Sequence, residues 1–182
     1  MSHLNKQALE AGIDNILQAP KDAGVLHLIV CRPETNQRES LPAGYLSLSE
    51  GLVGDNWLQR GCKDTADGSA HPEMQLNIMS SRVIALVAQD PKLWPLAGDQ
   101  LYIDMDLSTK NLPAGSQLSI GSALIEVTAE PHTGCKKFVA RFGLEAMKFV
   151  NSRLGKHQNF RGINAKVIKP GDIRIGDVAR KL

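Results

Sequence analysis

Short apolar runs separated by turn residues characterise the chain from residue 24 onward. Residues 25–30 are continuously apolar, while residues 74–79 and 101–106 alternate apolar with polar positions. A short apolar run is consistent with a buried β-strand, and strict alternation indicates a strand with one buried face. A further extended stretch, residues 38–48, bends at Pro42-Ala-Gly44. We predict β-structure in all four segments.

The second half of the chain carries the clearest turn signals. Gly121-Ser122 separates two strand-like runs within residues 117–127, which predicts a tight hairpin. Residues 163–178 divide into three more strands at two Gly-Asp turns. Many short strands, without long helices between them, predict a mostly β fold with a few α-helices. We expect these strands to form a closed or nearly closed β-barrel.

Helical spacing of apolar residues is confined to three places. Residues 4–18 show it up to Pro20. A second short helix is predicted to run through Ala88, and Ser80 and Ser81 can cap it. Residues 136–155 also have an apolar helical face, interrupted near Gly143.

The same patterns indicate one domain. We predict that residues 1–20 form a helix packed on the outside of a barrel domain, residues 21–182. Residues 50–73 are rich in glycine and charge with little periodicity, so we expect a long loop there. Loops of this length in compact domains are often functional or mobile.

Composition narrows the class of partner. Aromatic residues make up only 4% of the chain and the formal net charge is +2, which argues against base stacking and a basic nucleic-acid surface. No apolar stretch approaches the roughly 20 residues needed to cross a membrane, and the first residues lack a signal-peptide core. We therefore expect no nucleic-acid or membrane partner.

Three widely spaced cysteines, Cys31, Cys62 and Cys135, do not resemble a disulfide framework, and they favour a cytoplasmic location. We expect Cys31, which ends an apolar strand, to be buried, and Cys62 to lie in the glycine-rich loop.

Cys135 is the strongest chemical candidate. Gly134 precedes it, Lys136 and Lys137 follow it, and a predicted helix begins at this point. A helix N-terminus and nearby cations stabilise a thiolate, which is the reactive form of cysteine. The alternative is a small buried core residue. His132 and Cys135 also have half of a zinc-site spacing, but no second pair completes the four ligands of a structural zinc.

Other polar residues are candidates for a surrounding site. His71 precedes a predicted strand and could face a pocket, while Asp55 and Asp99 could accept hydrogen bonds there or serve as turn residues. Arg141 and Arg161 could bind phosphate through their planar guanidinium groups or form ordinary ion pairs.

A series of short motifs resembles the MOSC domain, the domain at the C-terminus of molybdenum-cofactor sulfurases. The resemblance runs from about residue 25 to the end. The motifs occur in this order: Gly51-Leu-Val-Gly-Asp55, Gln75-Leu-Asn-Ile-Met79, Gly98-Asp-Gln-Leu101, Asn111-Leu-Pro-Ala-Gly115, Gly121-Ser-Ala123, Pro131-His-Thr-Gly-Cys-Lys-Lys-Phe138, Arg141-Phe-Gly143, Arg161-Gly-Ile163 and Ile175-Gly-Asp177.

The resemblance implies a barrel-like fold and a functional Cys135 that carries sulfur or ligates the molybdenum of a pterin cofactor. Relatives include proteins that reduce N-hydroxylated bases. In such a protein Cys135 would be the metal thiolate, and cofactor-binding residues would come from His132, Lys136, Arg141, Arg161, His71, Asp55 and Asp99. Electrons would come from a donor protein, since the chain has no flavin or iron–sulfur motif.

Two departures from bacterial relatives bear on this expectation. Many have Gly-Glu-Asn where this chain has Gly98-Asp-Gln100, and a His-His-Gly-Gly run near the position of Arg60-Gly-Cys-Lys63. Two alternatives therefore stay open. One is a sulfur carrier or cofactor-binding module with a Cys135 persulfide and no turnover. The other is a barrel without chemistry that binds a partner.

Overall fold

The fold is a closed β-barrel with helices on its outer surface. A computed structural model describes residues 3–182. Seven strands close the barrel in the order β11-β7-β8-β9-β5-β6-β1, and β2 extends the sheet beyond β1. All neighbours are antiparallel except β5 and β6. The strands of this sheet are β1 (Ala23–Cys31), β2 (Glu39–Leu41), β5 (Leu76–Ser80), β6 (Leu101–Ile103), β7 (Gln117–Ile120), β8 (Ala123–Val127), β9 (Ile163–Lys169) and β11 (Val178–Lys181).

A second sheet covers part of the barrel. It consists of β3 (Ala43–Ser47), β4 (Gly51–Leu52) and β10 (Gly171–Arg174), all antiparallel. Leu46, Leu52 and Ile173 from these strands are completely buried in the same apolar cluster as the barrel interior. The small sheet therefore adds to the core and excludes water from it.

Alternation along the strands separates two apolar cores. Ile29 and Ile78 belong to the barrel interior, while their neighbours Val30 and Met79 belong to a second cluster outside the wall. Successive side chains of a strand point to opposite faces, so one wall serves both cores. Helices cover the outer cluster, which explains why these strands are apolar on both faces.

Within residues 3–182, six α-helices surround the barrel: α1 (Lys6–Ala11), α2 (Ile13–Leu17), α3 (Trp57–Arg60), α4 (Ser81–Ala88), α5 (Lys136–Val150) and α6 (Arg153–His157). Leu9 of α1 and Ile16 of α2 are buried in the outer cluster. The Asn5 side chain accepts a hydrogen bond from Ala8 N and so caps α1. These contacts hold the N-terminal helices against the rest of the protein.

Most sequence-based element predictions are confirmed. The hairpin at Gly121-Ser122 forms, and Gly143 (φ 86°, ψ 167°) interrupts α5 as its position indicated. The single helix predicted for residues 4–18 is wrong in one respect, because Gly12 divides it into α1 and α2. The loop predicted for residues 50–73 contains β4 and α3.

The expected cap of α4 does not form as predicted. Ser80 is the N-terminal cap residue by position, but its side chain makes no capping hydrogen bond, and its buried Oγ has no partner among residues 3–182. In the described part of the chain, no helix has the length and apolarity required to span a membrane.

Barrel closure generates a first prediction. Gly24 pairs with Ala179 across the β1–β11 seam, and a Cβ atom at Gly24 would overlap the carbonyl oxygen of Asp104 and lie 2.8 Å from Met105 Cβ. Gly24→Ala should therefore lower the free energy of unfolding by about 1–3 kcal/mol, as overpacking does. Urea denaturation measures this change.

Val25→Ala is the matched control for this substitution. Val25 is the next residue of the same seam, but its side chain is exposed. Exposed substitutions usually change stability by about 0.5 kcal/mol. An equal effect of the two substitutions would contradict the close approach at Gly24.

Candidate functional site

A buried carboxylate joins three candidate residues that are distant in sequence. Asp99 lies just before β6, Arg161 just before β9, and His132 in the segment between β8 and α5. Arg161 Nη1 donates to both Asp99 oxygens at 2.8 and 2.7 Å, and His132 Nε2 lies 2.7 Å from Asp99 Oδ1. Asp99 is fully buried and Arg161 nearly so. We call these three residues the Asp99 triad.

Ionisation in the triad follows from this geometry. Burial by itself would raise the pKa of Asp99, but Arg161 and His132 outweigh it and bring that pKa down to about 2. Burial and the charge of Arg161 lower the pKa of His132 below its ordinary value, against the opposing effect of Asp99. At neutral pH the triad therefore contains an ionised carboxylate, a charged guanidinium and a neutral imidazole.

A second buried ion pair lies beside the triad. Arg32 follows β1 and binds Asp55 in a bidentate manner, with Nε–Oδ2 and Nη2–Oδ1 distances of 2.7 and 2.8 Å. Arg32 Nη1 also donates to the side chain of Asn77 and to the carbonyl of Gly98. Since Gly98 precedes Asp99, Arg32 links the two carboxylates of the site.

Amide side chains extend this network along the barrel wall. Asn77 Nδ2 donates to Asn164 Oδ1 at 2.6 Å, and Gln100 Oε1 accepts from the backbone N–H of Asn77 at 2.8 Å. Both asparagines alternate with core residues and so lie on the outer face of the wall. The polar groups of this buried region are largely paired, as such groups must be to avoid a desolvation penalty.

Two further arginines form an uncompensated cationic cluster, defined by Arg38 and Arg141. Gly98 adopts a left-handed conformation (φ 91°), and a Cβ there would lie 3.3 Å from Arg38 Nη2 and 3.7 Å from Arg141 Nη1. Neither arginine forms an ion pair with any residue in the range 3–182, and the buried Nε of Arg38 has no hydrogen-bond partner there. Burial, followed by the charges of Arg141 and Arg32, lowers the pKa of Arg38.

Cys135 is the exposed thiol of the three cysteines and occupies the N-terminal cap position of α5. Its side chain makes no capping hydrogen bond. The preceding residue is held in place by Asn151, which accepts from Gly134 N at 2.9 Å and donates to Gly134 O at 3.0 Å. The thiol is thus presented to solvent from a segment fixed by Asn151 on one side and by His132 on the other.

The remaining candidates lie around these groups. Lys136 is exposed in the first turn of α5, next to Cys135. His71 lies beside a cavity of about 60 Å³ with Cys62 and Arg60, and its buried Nδ1 has no partner among the described residues. Cys31 is buried as predicted, and burial raises the pKa of its thiol.

Sequence reasoning identified several site residues but missed their partners. Asp99, His132 and Arg161 meet in one triad, whereas Asp55 pairs with Arg32, which we did not predict. Arg38 was also missed. A signal was available for Arg32 only, because an arginine that directly continues an apolar strand is close to the core.

The side chains that could act as metal ligands limit the kind of metal that could bind. Among residues 3–182 no three His, Cys, Asp or Glu side chains are grouped as a metal site. A metal at Cys135 would therefore have to arrive with most of its ligands already supplied by another molecule. The cationic cluster beside Gly98 is suited to an anionic group of such a molecule.

Fold and site together define a class: a seven-stranded barrel with an exposed thiol at the start of a helix that also carries an arginine of the cationic cluster. The family model described as "MOSC domain" matches residues 65–180, more than half of the chain. The chain belongs to the MOSC domain family, as the resemblance in its sequence indicated.

Solved structures agree on the fold. The YuaD protein from Bacillus subtilis has a TM-score of 0.66 and 17% sequence identity, covering 87% of this chain and 95% of that chain. YiiM from Geobacillus stearothermophilus has a TM-score of 0.58 and 13% identity, covering 88% and 75%. YiiM from Escherichia coli has a TM-score of 0.54 and 19% identity, covering 87% and 69%. No curated protein matches the sequence.

The triad predicts a specific acid sensitivity. Because the pKa of Asp99 is lowered to about 2, its stabilising effect is complete above its unfolded pKa of about 3.9 and disappears as pH falls toward 2. Protonation of His132 affects stability at a higher pH than protonation of Asp99. Its pKa is lowered in the folded state, so below about pH 6.5 the unfolded state takes up the proton first and stability begins to fall.

Asp99→Asn should lower the free energy of unfolding at pH 7 by about 3 kcal/mol or more, because Arg161 becomes a buried charge without its counter-ion. It should also flatten the dependence of stability on pH below pH 4. Denaturant unfolding across the pH range measures both. Asp22→Asn, at an exposed position, is the control. A loss no greater than that of the control would show that the triad is not a stabilising contact.

Proposed function

We propose that this MOSC protein binds a molybdenum–pterin cofactor through Cys135 and acts as an oxidoreductase of N-hydroxylated compounds. The observation that carries the proposal is an exposed, unpartnered thiol on the same helix as an arginine of the uncompensated cationic cluster. The residues present fit such a cofactor, because it requires one protein thiolate for the metal and cations for its phosphate.

The spacing of Cys135 and Arg141 supports a role for them at two ends of one ligand. Cys135 occupies the N-terminal cap position of α5, and Arg141 lies in the first part of that helix, before the interruption at Gly143. Six residues of helix separate them by about 9 Å along the axis. A pterin with a phosphate tail is an elongated molecule, so its metal end at Cys135 and its phosphate end near Arg141 are compatible with this spacing.

The cationic cluster supports the phosphate end of the ligand. The Arg38 and Arg141 guanidinium groups both lie against Gly98, where no side chain intervenes. Two like charges held together without a carboxylate are unfavourable unless an anion joins them. Lys136 adds a third cation near the thiol.

The Asp99 triad and Asp55 have a different part in this proposal. Both Asp99 oxygens are already paired, as are both Asp55 oxygens. These carboxylates therefore hold the surrounding backbone rather than the cofactor. His132 connects Asp99 to the segment that carries Cys135.

When bound, the cofactor would supply two-electron transfer chemistry at its metal. The protein's own residues would ligate it, neutralise its phosphate and orient its open side toward a substrate. Electrons would enter from a donor protein, because the sequence contains no flavin or iron–sulfur motif.

Cofactor binding is tested with protein made in a bacterial host that synthesises the molybdenum cofactor. Elemental analysis should find molybdenum in the wild type, and Cys135→Ser should lose most of it. The double variant Arg38→Gln/Arg141→Gln should retain several-fold less cofactor, since it lacks the cationic cluster. Cys62→Ser, at the partly buried cysteine, should retain it.

Stability separates loss of a ligand from loss of the fold. Cys135 is exposed and its side chain caps nothing, so Cys135→Ser should change the free energy of unfolding by less than about 0.5 kcal/mol. Metal-free wild-type protein would contradict the proposal. A mass increase of about 32 Da on Cys135, expected for one bound sulfur atom as a persulfide, would instead favour a sulfur carrier.

A further inference from the structure

One nitrogen of the His132 ring is unused by the triad. An ionised carboxylate only accepts hydrogen bonds, so the 2.7 Å contact with Asp99 places the ring proton on Nε2. In the neutral ring the lone pair is then on Nδ1. That atom has no hydrogen-bond partner among residues 3–182, and it is not one of the buried unpartnered atoms. Nδ1 therefore keeps some contact with solvent, on a side chain that is 14% exposed.

The ring is held in a fixed orientation. Arg161 fixes Asp99 from the other side, and a Cβ atom at Gly162 would lie 3.1 Å from His132 Cδ2. A side chain at position 162 would crowd the imidazole and would overlap the carbonyl oxygen of Ile78. A side chain fixed by a carboxylate on one nitrogen, with the other nitrogen free, has the arrangement used for proton transfer.

His132 also lines a groove large enough for a small molecule. The groove has a volume of about 400 Å³ and is bordered by Thr109, Lys156 and Asn159. The Thr109 hydroxyl and the Asn159 amide already donate to backbone carbonyls. The charged and titratable side chains that a polar ligand in the groove could contact are those of His132, Lys156 and Glu130.

The groove and the thiol belong to neighbouring parts of the chain. His132 and Cys135 are three residues apart, which limits their Cα atoms to a separation of about 11 Å. A ligand in contact with the His132 ring can therefore extend toward Cys135.

We propose that His132 is a catalytic proton donor that delivers a proton from Nδ1 to the substrate. This inference rests on the proposed function. In the reduction of R–NH–OH to R–NH₂ and water, the N–O bond breaks, and two electrons come from a flavin or iron–sulfur donor protein. Nδ1 supplies the proton that joins the departing hydroxyl oxygen, and solvent supplies the proton that joins the nitrogen. Water then reprotonates the imidazole.

The charges around the His132 ring determine the pH range in which the ring is protonated and can donate a proton. Arg161 and the more distant Arg32 oppose protonation of His132, while Asp99 favours it. Lys156 and Glu130 border the groove. Because burial and Arg161 lower the pKa of His132, the fraction of protonated ring increases as pH falls below neutrality. The rate should increase in the same direction.

The first test needs no cofactor. Long-range proton–nitrogen NMR of protein labelled with ¹⁵N-histidine reports the tautomer and pKa of each ring, and the signal absent from His132→Gln identifies His132. We expect the Nε2–H tautomer at pH 7.5 and a titration midpoint below the ordinary value of about 6.5. Asp99→Asn should mix the tautomers. An Nδ1–H tautomer in the wild type would overturn the proposal.

The second test uses molybdenum-loaded protein and an N-hydroxylated base as substrate. His132→Gln should retain molybdenum but lose at least tenfold in kcat, and its kcat should no longer increase as pH falls. His27→Gln, at an exposed position on β1, should match the wild type. If molybdenum-loaded His132→Gln keeps the pH profile of the wild type, proton donation by His132 is refuted while the proposed function still stands. A wild type without molybdenum or activity would refute the proposed function instead.

Discussion

The buried carboxylate of Asp99 is the interaction on which the site depends. It lies just before β6 and joins residues that precede β9 and follow β8. A buried charge is tolerated only when it is paired and fully hydrogen-bonded, and Arg161 and His132 meet that requirement. The need to satisfy one carboxylate therefore fixes the position of the segment that carries Cys135.

The barrel provides the rigid apolar surroundings in which these buried charges are paired. Its strands are covered by apolar side chains on both faces, with one core inside the wall and another beneath the helices. The polar network lies where strand ends meet at the edge of these cores. Arg32 and Asp55 form a second buried pair there, and the backbone of Gly98 connects it to the triad. Rigid surroundings and paired charges together keep the site preorganised.

The cationic cluster contrasts with the satisfied network beside it. Arg32 and Arg161 each have a carboxylate, whereas Arg38 and Arg141 have none within the described residues. The same stretch, residues 96–100, contacts all four arginines. One short segment thus contacts two arginines that have a carboxylate partner and two that have none within residues 3–182. That division is the physical basis for separating the residues that stabilise the protein from those that we propose bind an anionic ligand.

Local patterns in the sequence were enough to predict the class of fold and the thiol that the structure exposes. Alternating apolar residues and Gly-Asp turns predicted the strands and the hairpin at Gly121-Ser122, because these signals are local. The glycine and lysines around Cys135 likewise marked a helix N-terminus with an accessible thiol.

Tertiary structure decided which charges are paired. No spacing in the sequence shows that Asp99 meets Arg161 and that Asp55 instead meets Arg32, since these partners are brought together only by the closure of the barrel. The same holds for the free nitrogen of His132 and for Arg38 beside Gly98. Long-range pairing depends on strand order and burial, which local patterns do not encode.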